Sequence, residues 1–396
     1  MNLLLFNFET DAEHDLFGFT TDWINAFAER FDKVVVVSSR VGKLEVAENV
    51  EVHSLGVEDG NGLLRKLWIF CGLMRRILWG RGDGRDFDLV FYHMAYHFAI
   101  LAWPFLWLDA VRRKVRKMRK ASRVLWYAHK SVPLGLKVAS RAVDKIVTTS
   151  KLGCQLTGKQ GRKVQIVGHG VDEQRFAYRS RKGGQGGEGG HGRDFQIMTL
   201  ARLSPVKRIE QVIKAMALLR DGGAGGDAIL NVKLKILGDA GLPEQQEYKA
   251  GLEALVKELG LEEQVKFEGS VSYAQVSEYL AEADLSVNVS ATGSLDKAVL
   301  ESLSAGVPVL APREGYACVF ERTDDFGGTE LGNLDSGKFL LDDVGPEHVA
   351  EKIRFWMRLS AEESSELMRE VSVHVQKGYG VKALVGKVVG VAGVSS

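Results

Sequence analysis

The sequence predicts an α/β protein made of two doubly wound, Rossmann-like domains. Short apolar runs alternate with amphipathic helical segments along most of the 396 residues, which is the pattern of a mostly parallel sheet flanked by helices. Several runs are apolar without interruption, as expected for strands that helices cover on both faces. The alternation occurs twice, before and after a glycine-rich stretch, and the length accommodates two domains of about 150–200 residues each.

Seven strands and four helices are predicted before the glycine-rich stretch. The strands occupy 3–8, 33–38, 50–55, 88–93, 124–129, 145–150 and 164–167. Helical periodicity lies near 19–31, 63–79, 95–120 and 132–142. Because the start MNLLLFNFETD has no basic leader and soon becomes acidic, we interpret it as a buried strand and not as a signal peptide.

The alternation resumes at residue 195. Strands are predicted at 195–200, 232–237, 264–268, 285–289 and 308–311, helices at 207–219, 244–259, 274–282 and 295–304, and a nearly continuous helical tail at 346–395. We therefore predict a first domain over 1–178, a flexible glycine-rich segment over 179–194, a second domain over 195–370, and a helical tail over 371–396 that packs back toward the first domain. The two domains are expected to face each other across a cleft, with ligands at the carboxyl ends of the strands.

Composition excludes several classes of protein. Hydrophobic residues make up 45% and charged residues 26%, as in soluble globular chains. The three cysteines are widely spaced, which predicts a reducing, cytoplasmic compartment, and the longest apolar run, 98–108, is shorter than the about 18 residues that a membrane span needs. The first 178 residues carry 27 Lys and Arg against 19 Asp and Glu, and the remainder 25 against 32. An anionic partner is therefore expected on the first domain.

Two cations follow the first strand of the second domain, in the segment ARLSPVKR. Arg202 comes directly after the strand, and Lys207 is predicted to open the next helix, so both lie at the carboxyl edge of the sheet. Two cations there can hold a diphosphate and stabilise it as a leaving group. The alternative is a solvated loop followed by a helix start, although a cation at a helix N-terminus is slightly unfavourable.

A second candidate site lies in SATGSLDKAVLESLSAGVPVLAP. A strand enters a small-residue loop at 291–294, and the N–H groups at the start of the following helix can receive phosphate. Gly293, Lys297 and Glu301 are spaced by four residues and share one helix face. A carboxylate at 301 could accept both hydroxyls of a ribose, whereas the alternative interpretation is an exposed Lys–Glu pair.

These motifs resemble the retaining glycosyltransferases of family 4, which have the GT-B fold. The matching segments of the second domain are LARLSPVKRIEQVIKAM, KILGD, VKFEGSVSYAQVSEYLAEADLSVNVS and KAVLESLSAGVPVLAP. In the first domain, LWYAHKSVPLGLK and KVQIVGHGVDEQRF are similar to the family's acceptor-side loops. The resemblance implies transfer of a sugar from a nucleotide-diphosphate donor with retention, the donor in the second domain and the acceptor, a glycan or a lipid-linked molecule, in the first.

The resemblance also implies roles for individual residues. Arg202 and Lys207 would bind the donor diphosphate, and Glu301 would bind the ribose. Backbone at 269–272, including Gly269 and Val271, would hold the base. On the acceptor side, His129 would face the sugar and acceptor, with His93, His97 and His169 ranked below it, and Gly18 matches the family's glycine loop loosely.

One departure concerns the donor loop. The family has a glutamate eight residues before the position of Glu301, where this sequence has Gly293. The run GSLDK replaces the usual glycine-phenylalanine-glycine, so Ser294 and Asp296 stand in a variant loop. Asp296 is a candidate substitute for the missing glutamate, and Lys297 can offset its charge.

Three other functions are alternatives to a transferase. An NAD-dependent oxidoreductase would show GxGxxG after the first strand, and FNFETDAEHDLFGF lacks it. A nucleotide-sugar epimerase of the same fold and a catalytically silent sugar- or nucleotide-binding protein both remain open. No spacing typical of a metal site occurs, so we predict neither a metal nor another cofactor.

The basic excess of the first domain suggests an anionic membrane surface as a further partner. The stretch FAILAWPFLWLDAVRRKVRKMRKASR joins an apolar, Trp-rich run to eight cations, and LLRKLWIFCGLMRRILWGR adds Arg65, Lys66, Arg75 and Arg76. Peripheral association at the inner membrane face is one hypothesis. The other is a buried helix with a solvated basic extension. Nucleic acid is not predicted, because no base-reading motif accompanies the charge.

Overall fold

The computed structural model describes residues 1–80, 86–180, 193–223, 226–293, 295–321 and 334–394. The chain forms two compact units, Met1–Gly170 with Val381–Ser396, and Val171–Gly380. The chain thus passes from one unit to the other at 170/171 and 380/381, whereas the predicted domain boundaries were 178/179 and 370/371. Most of the predicted flexible segment, 181–192, lies outside the described residues.

The first unit contains a seven-stranded parallel sheet in the order β3-β2-β1-β4-β5-β6-β7. Its strands are β1 (Asn2–Thr10), β2 (Lys33–Val41), β3 (Val50–Ser54), β4 (Leu89–His93), β5 (Ser122–Trp126), β6 (Lys145–Thr148) and β7 (Val164–Ile166). The connecting helices are α1 (Phe19–Ala28), α2 (Leu63–Trp79), α3 (Tyr96–Val115), α4 (Leu134–Ala142) and the single turn α5 (Gly158–Gly161). The strand order reverses direction at β1 and β4, as in a doubly wound sheet.

Successive residues of β1 feed two separate cores. Leu4 and Phe6 pack with α2 and α3 on one face, and Leu3 and Leu5 pack with α1 on the other. All four side chains are buried, because side chains alternate across a strand and helices cover both faces. The uninterrupted apolar run that predicted this strand is therefore explained.

The second unit has a six-stranded parallel sheet in the order β10-β9-β8-β11-β12-β13. Its strands are β8 (Phe195–Leu200), β9 (Val232–Leu237), β10 (Val265–Gly269), β11 (Leu285–Val287), β12 (Val309–Pro312) and β13 (Leu340–Leu341). The helices are α6 (Ile209–Arg220), α7 (Pro243–Glu258), α8 (Tyr273–Glu282), α9 (Lys297–Ser304), α10 (Arg313–Phe320), α11 (Pro346–Arg358) and α12 (Ala361–Tyr379). The α/β, GT-B class predicted from the sequence requires two such sheets.

The last helix, α13 (Val381–Ala392), belongs to the first unit. Leu384, Val385 and Val388 are buried in the same core as Leu3 and Leu5. The C-terminal helix therefore supplies part of the cover for the α1 face of the first sheet, while α12 stays in the second unit.

Lys207 does not open a helix, in contrast to the sequence prediction. It ends a 3₁₀ turn, Pro205–Lys207, and α6 begins only at Ile209. Between them Arg208 adopts a left-handed conformation with φ of 50°, which non-glycine residues rarely take. The helical periodicity of 207–219 was correct for the apolar face, but it carried no signal for the tight turn at its start.

The sequence also misjudged some shorter elements. Helix α3 ends at Val115 rather than near 120, and Lys117 then has a φ of 58°. The predictions did not include α5, α10 or β13. These elements are four, eight and two residues long, too short for periodicity to identify.

His93, at the end of β4, is fully enclosed by aromatic rings. It stacks on Trp126 with ring centroids 5.1 Å apart, and its Nδ1 lies 3.1 Å from Oδ1 of Asn7. Burial, with His169 adding to it, lowers the pKa of His93 to about 3. This histidine is therefore neutral at physiological pH and acts as part of the core.

We expect His93 to make the first unit sensitive to acid. Below pH about 6.5 the unfolded chain takes up a proton that the folded chain refuses, so the free energy of unfolding falls by about 1.4 kcal/mol per pH unit until the pH approaches 3. Above pH 6.5 this group has no effect. Urea unfolding at pH 7, 6 and 5, followed by tryptophan fluorescence, measures the free energy of unfolding. This free energy should fall less steeply toward low pH in His93→Gln than in the wild type. An identical slope in the variant would contradict the assignment.

Candidate functional site

The loops that follow β8 and β9 meet closely at the carboxyl edge of the second sheet. Gly238 has a φ of 126°, and a side chain there would collide with the carbonyl oxygen of Ala201. Glycine is therefore required for this approach. Arg202 follows in the same loop, and its exposed guanidinium has no hydrogen-bond or ion-pair partner among the described residues. The loop leaves this cation available to a ligand.

Lys207 lies beside Asp296, which is 89 residues away in sequence. A backbone hydrogen bond of 2.8 Å from Ala291 N to Val206 O ties the loop after β11 to the 3₁₀ turn. Lys207 Nζ then approaches Oδ2 of Asp296 to 2.6 Å. The two side chains are 12% and 20% exposed, so the pair is mostly buried but reachable from solvent.

Two further groups hold Asp296. Asn288 Nδ2 donates to Oδ2 of Asp296 at 3.1 Å, and the backbone N–H of Asp296 donates to the Tyr316 hydroxyl at 3.2 Å. Burial, followed by the Asp296 carboxylate, raises the pKa of Tyr316 well above its usual value, so this hydroxyl stays protonated. The sequence reasoning did not find Asn288 or Tyr316, because only the fold brings them to Asp296.

Glu301 is almost completely buried and is paired with Lys297. Its Oε1 lies 2.5 Å from Lys297 Nζ, and the glutamate side chain is only 2% exposed. The lysine ammonium also lies 3.9 Å from the ring centroid of Tyr273, the first residue of α8. The i,i+4 pair that spacing predicted is present, but it is enclosed rather than solvated.

The backbone ahead of α9 packs closely against the start of α10 at Gly293. Gly293 has a φ of 62°, and a Cβ on Gly315 would lie 2.9 Å from its backbone. Ser294 lies outside the described residues. Asp296 occupies the N-cap position of α9, yet its side chain makes no capping hydrogen bond. The carboxylate is turned toward Lys207 instead.

Gly269 and Val271 lie at the end of β10, on the same edge of the sheet. The carbonyl of Gly269 accepts a hydrogen bond from Gly238 N at 2.8 Å, and its φ is 77°. Val271 is buried ahead of α8. The fold therefore gathers the predicted residues of the second domain along one edge, the edge at which doubly wound sheets bind ligands.

His129 and Gly18 belong to the first unit. His129 is exposed after β5, and its Nδ1 lies 2.7 Å from Ser131 Oγ. Gly18 is buried at the start of α1, with a φ of −52° that any residue can adopt. Its N–H donates to His14 O at 2.9 Å. The structure thus orients the His129 ring through Ser131 but shows no backbone requirement for glycine at position 18.

A pocket of about 610 Å³ adjoins the loop that contains Gly293. It lies at the carboxyl ends of β11, β12 and β13 and is lined by Arg208, Ser290, Gly293, Arg313 and Asp342, among others. A second pocket, of about 690 Å³, lies beside Gln196 at the start of β8 and contains none of the predicted residues. Arg208 is an additional cation at the site that the sequence reasoning missed, although it adjoins Lys207.

Helices α2 and α3 expose large apolar side chains. Trp68 is 77% exposed, and the exposed set on these two helices is Leu63, Leu64, Trp68, Leu101, Trp103, Trp107, Leu108, Val111 and Val115. Exposed cations accompany them, namely Arg65, Arg75, Arg76, Lys114 and Arg116. We call this set the α2–α3 surface. No helix in the described part of the chain is long and apolar enough to cross a membrane.

Not all cations of the basic run are free. Arg113 is buried and its Nε donates to Asp109 at 2.6 Å, and Arg123 is paired with Asp144 at 3.0 Å. These two arginines therefore serve the fold of the first unit and do not belong to the α2–α3 surface.

The comparisons agree with this architecture. Residues 187–372 match the family model described as glycosyl transferases group 1. HepE from Anabaena, solved in complex with UDP, is 16% identical with a TM-score of 0.65, and 100% of both chains is covered. A glycosyltransferase from Rickettsia africae is 12% identical with a TM-score of 0.64, over 99% of this chain and 97% of that one.

A third similar structure is WaaG, described as a glycosyltransferase involved in lipopolysaccharide biosynthesis. It is 14% identical with a TM-score of 0.59, over 99% of this chain and 100% of that one. No curated protein matches the chain by sequence. At these identities the likeness shows the fold, which is the predicted GT-B class of two Rossmann-like units. The match to the model of glycosyl transferases group 1 covers just under half of the chain, residues 187–372.

Proposed function

We propose that this protein is a glycosyltransferase that moves a sugar from a nucleotide-diphosphate sugar to an acceptor hydroxyl with retention of configuration. The observation that carries the proposal is the position of Lys207 beside the first turn of α9, with Glu301 four residues inside that helix. A cation beside the start of a helix suits a diphosphate, and a buried carboxylate suits a ribose. The UDP that HepE binds in its solved structure is consistent with such a donor.

In the proposed reaction the diphosphate is the leaving group. Its departure from the anomeric carbon develops negative charge, which Arg202 and Lys207 stabilise more strongly in the transition state than in the ground state. The acceptor hydroxyl attacks from the same face and passes its proton to a departing phosphate oxygen, so no protein nucleophile is needed. His129 would orient the sugar or the acceptor hydroxyl. Retention and the hexosyl nature of the donor are part of this proposal.

Release of a nucleoside diphosphate from a panel of nucleotide sugars tests the proposal. A transferase will release nucleoside diphosphate slowly by hydrolysis without an acceptor and faster by sugar transfer with one, and NMR of the product will report an unchanged anomeric configuration. An isomerised donor without nucleotide release would indicate an epimerase. Stabilisation against heat by nucleotide sugars, with no turnover in either assay, would indicate a binding protein.

The binding protein is the second candidate, and one observation favours it. Lys207 is neutralised by Asp296, and Gly293 supplies no side chain to a donor sugar. We favour the transferase because Arg202 remains unpaired among the described residues and Glu301 keeps its buried position.

We expect turnover to be independent of divalent metals. Arg202 and Lys207 supply the positive charge that a metal would otherwise bring to the leaving diphosphate. Initial rates measured with 5-fold excess EDTA over any added metal should equal those without chelator. Loss of activity that Mg²⁺ or Mn²⁺ restores would contradict this prediction.

We further propose a cytoplasmic enzyme that associates with anionic membranes through the α2–α3 surface, where a lipid-linked acceptor would be found. Exposed tryptophans and aliphatic side chains next to cations suit the interface of such a membrane, and each cation contributes about 1 kcal/mol near an anionic surface. The alternative is an enzyme that does not bind membranes and uses a soluble glycan as its acceptor.

Cosedimentation with vesicles checks the membrane proposal. Binding to vesicles with an anionic lipid should exceed binding to neutral vesicles and should weaken at high salt. Trp68→Ser should reduce it, whereas Leu242→Ser, at an exposed leucine of the second unit, serves as the matched control. Equal and negligible binding to both vesicle types would contradict the proposal.

A further inference from the structure

Two consecutive residues at the start of α9 form ion pairs with the two side chains that we assign to donor binding. Asp296 holds Lys207 at 2.6 Å, and Lys297 holds Glu301 at 2.5 Å. The carboxylate thus lies where a phosphate oxygen would meet Lys207, and the ammonium lies where ribose hydroxyls would meet Glu301. Both groups are thus already compensated by opposite charge within the chain.

Two residues from other parts of the second unit hold Asp296 in this position. Asn288 donates to the same carboxylate oxygen as Lys207, and Tyr316 accepts from the backbone N–H of Asp296. Aspartate at an N-cap normally accepts from the first-turn N–H groups of its helix, but here that hydrogen bond is absent. The chain therefore gives up a favourable cap to keep the carboxylate on Lys207.

We propose that the Asp296–Lys297 dipeptide is an internal occupant of the donor site, which a diphosphate must displace in order to bind. This inference rests on the proposed function. On binding, Lys207 exchanges the carboxylate for a phosphate oxygen, and Asp296 turns to cap α9. Both arrangements satisfy the Asp296 carboxylate, so the loop has two states and the ligand selects between them.

Charge and exposure favour this exchange. A diphosphate carries more negative charge than one carboxylate and gains Arg202 as a second cation. The Lys207–Asp296 pair is 12% and 20% exposed, so a ligand can still reach it from solvent. Ligand affinity is then lowered by the population of the occupied state, as for any protein whose binding-competent state is a minor one.

Titration calorimetry with inorganic pyrophosphate tests the inference without knowledge of the base. Asp296→Asn removes the competing charge and keeps the size of the side chain, so pyrophosphate should bind about tenfold more tightly than to the wild type. Asp221→Asn is the matched control, because Asp221 pairs with Arg220 at 2.7 Å just after α6 in the same unit. That variant changes net charge equally and should leave the affinity unchanged.

A double variant identifies the group that the exchange releases. In Asp296→Asn combined with Lys207→Gln, pyrophosphate should bind no more tightly than to the wild type, since the freed lysine is absent. A double variant that still bound pyrophosphate about tenfold more tightly than the wild type would mean that a general charge effect is responsible, and it would overturn the inference. Unfolding midpoints close to wild type will confirm that each variant is folded.

The remaining outcomes separate this inference from the proposed function. If the wild type turns over a nucleotide sugar but Asp296→Asn binds pyrophosphate equally or more weakly, Asp296 positions Lys207 and the internal-occupant inference is wrong. If Asp296→Asn gains affinity while the wild type shows no turnover of any donor, the inference stands and the transferase proposal fails. Absence of pyrophosphate binding by both proteins would overturn the inference.

Discussion

Replacing Lys207 by glutamine is expected to lower kcat/KM about 100-fold, or about 2.7 kcal/mol. A charge-assisted hydrogen bond to the leaving diphosphate is lost, which costs about 1.5–3 kcal/mol. In addition Asp296, 2.6 Å from Lys207 Nζ in the wild type, becomes an uncompensated negative charge facing the diphosphate. Steady-state rates with the best donor of the panel measure the loss.

The two contributions can be separated. Arg202→Gln removes a cation that has no partner among the described residues, so it should cost less than Lys207→Gln. Adding Asp296→Asn to Lys207→Gln should recover part of the activity, because the repulsive charge is gone. Wild-type turnover by Lys207→Gln would show that the donor diphosphate binds elsewhere.

Glu301→Gln is expected to weaken binding of the nucleoside diphosphate by tenfold or more, about 1.4 kcal/mol. Glutamine keeps the size of the side chain but accepts hydrogen bonds from ribose hydroxyls less strongly than a carboxylate does. The change also leaves the Lys297 ammonium without its 2.5 Å partner, which adds a stability cost. Calorimetry and thermal unfolding measure the two effects separately.

A comparison of ribose with 2′-deoxyribose makes the test specific. The wild type should prefer the ribonucleotide, and Glu301→Gln should lose most of that preference, because the discriminating hydroxyl contact is the one removed. Glu278→Gln, on an exposed part of α8, is the matched control and should keep it. If Glu301→Gln preferred the ribonucleotide as strongly as the wild type does, Glu301 would not contact the ribose and would be only a structural partner of Lys297.

Local patterns in the sequence were sufficient to predict the longer strands of both sheets. The apolar runs that became β1, β2, β4 and β8 were predicted within a few residues, because strands covered on both faces need side chains of one type throughout. The cation pair of ARLSPVKR and the Lys297–Glu301 spacing were also visible, since each lies within one turn or one loop. Short elements such as β13 and the left-handed turn at Arg208 were not, because two or three residues carry no periodicity.

The sequence by itself determined that this chain has two parallel α/β units and which residues of the second unit lie at the carboxyl edge. Those properties depend on hydrophobic periodicity and on the position of polar residues just after strands. Only the tertiary structure decided that Asp296 holds Lys207 and that Asn288 and Tyr316 hold Asp296. It also decided that Glu301 is buried against Lys297, whose ammonium lies over the Tyr273 ring. Lys207 and Asp296 are 89 positions apart, and no local pattern encodes a contact that arises only when the loops after β8 and β11 meet at one edge of the sheet.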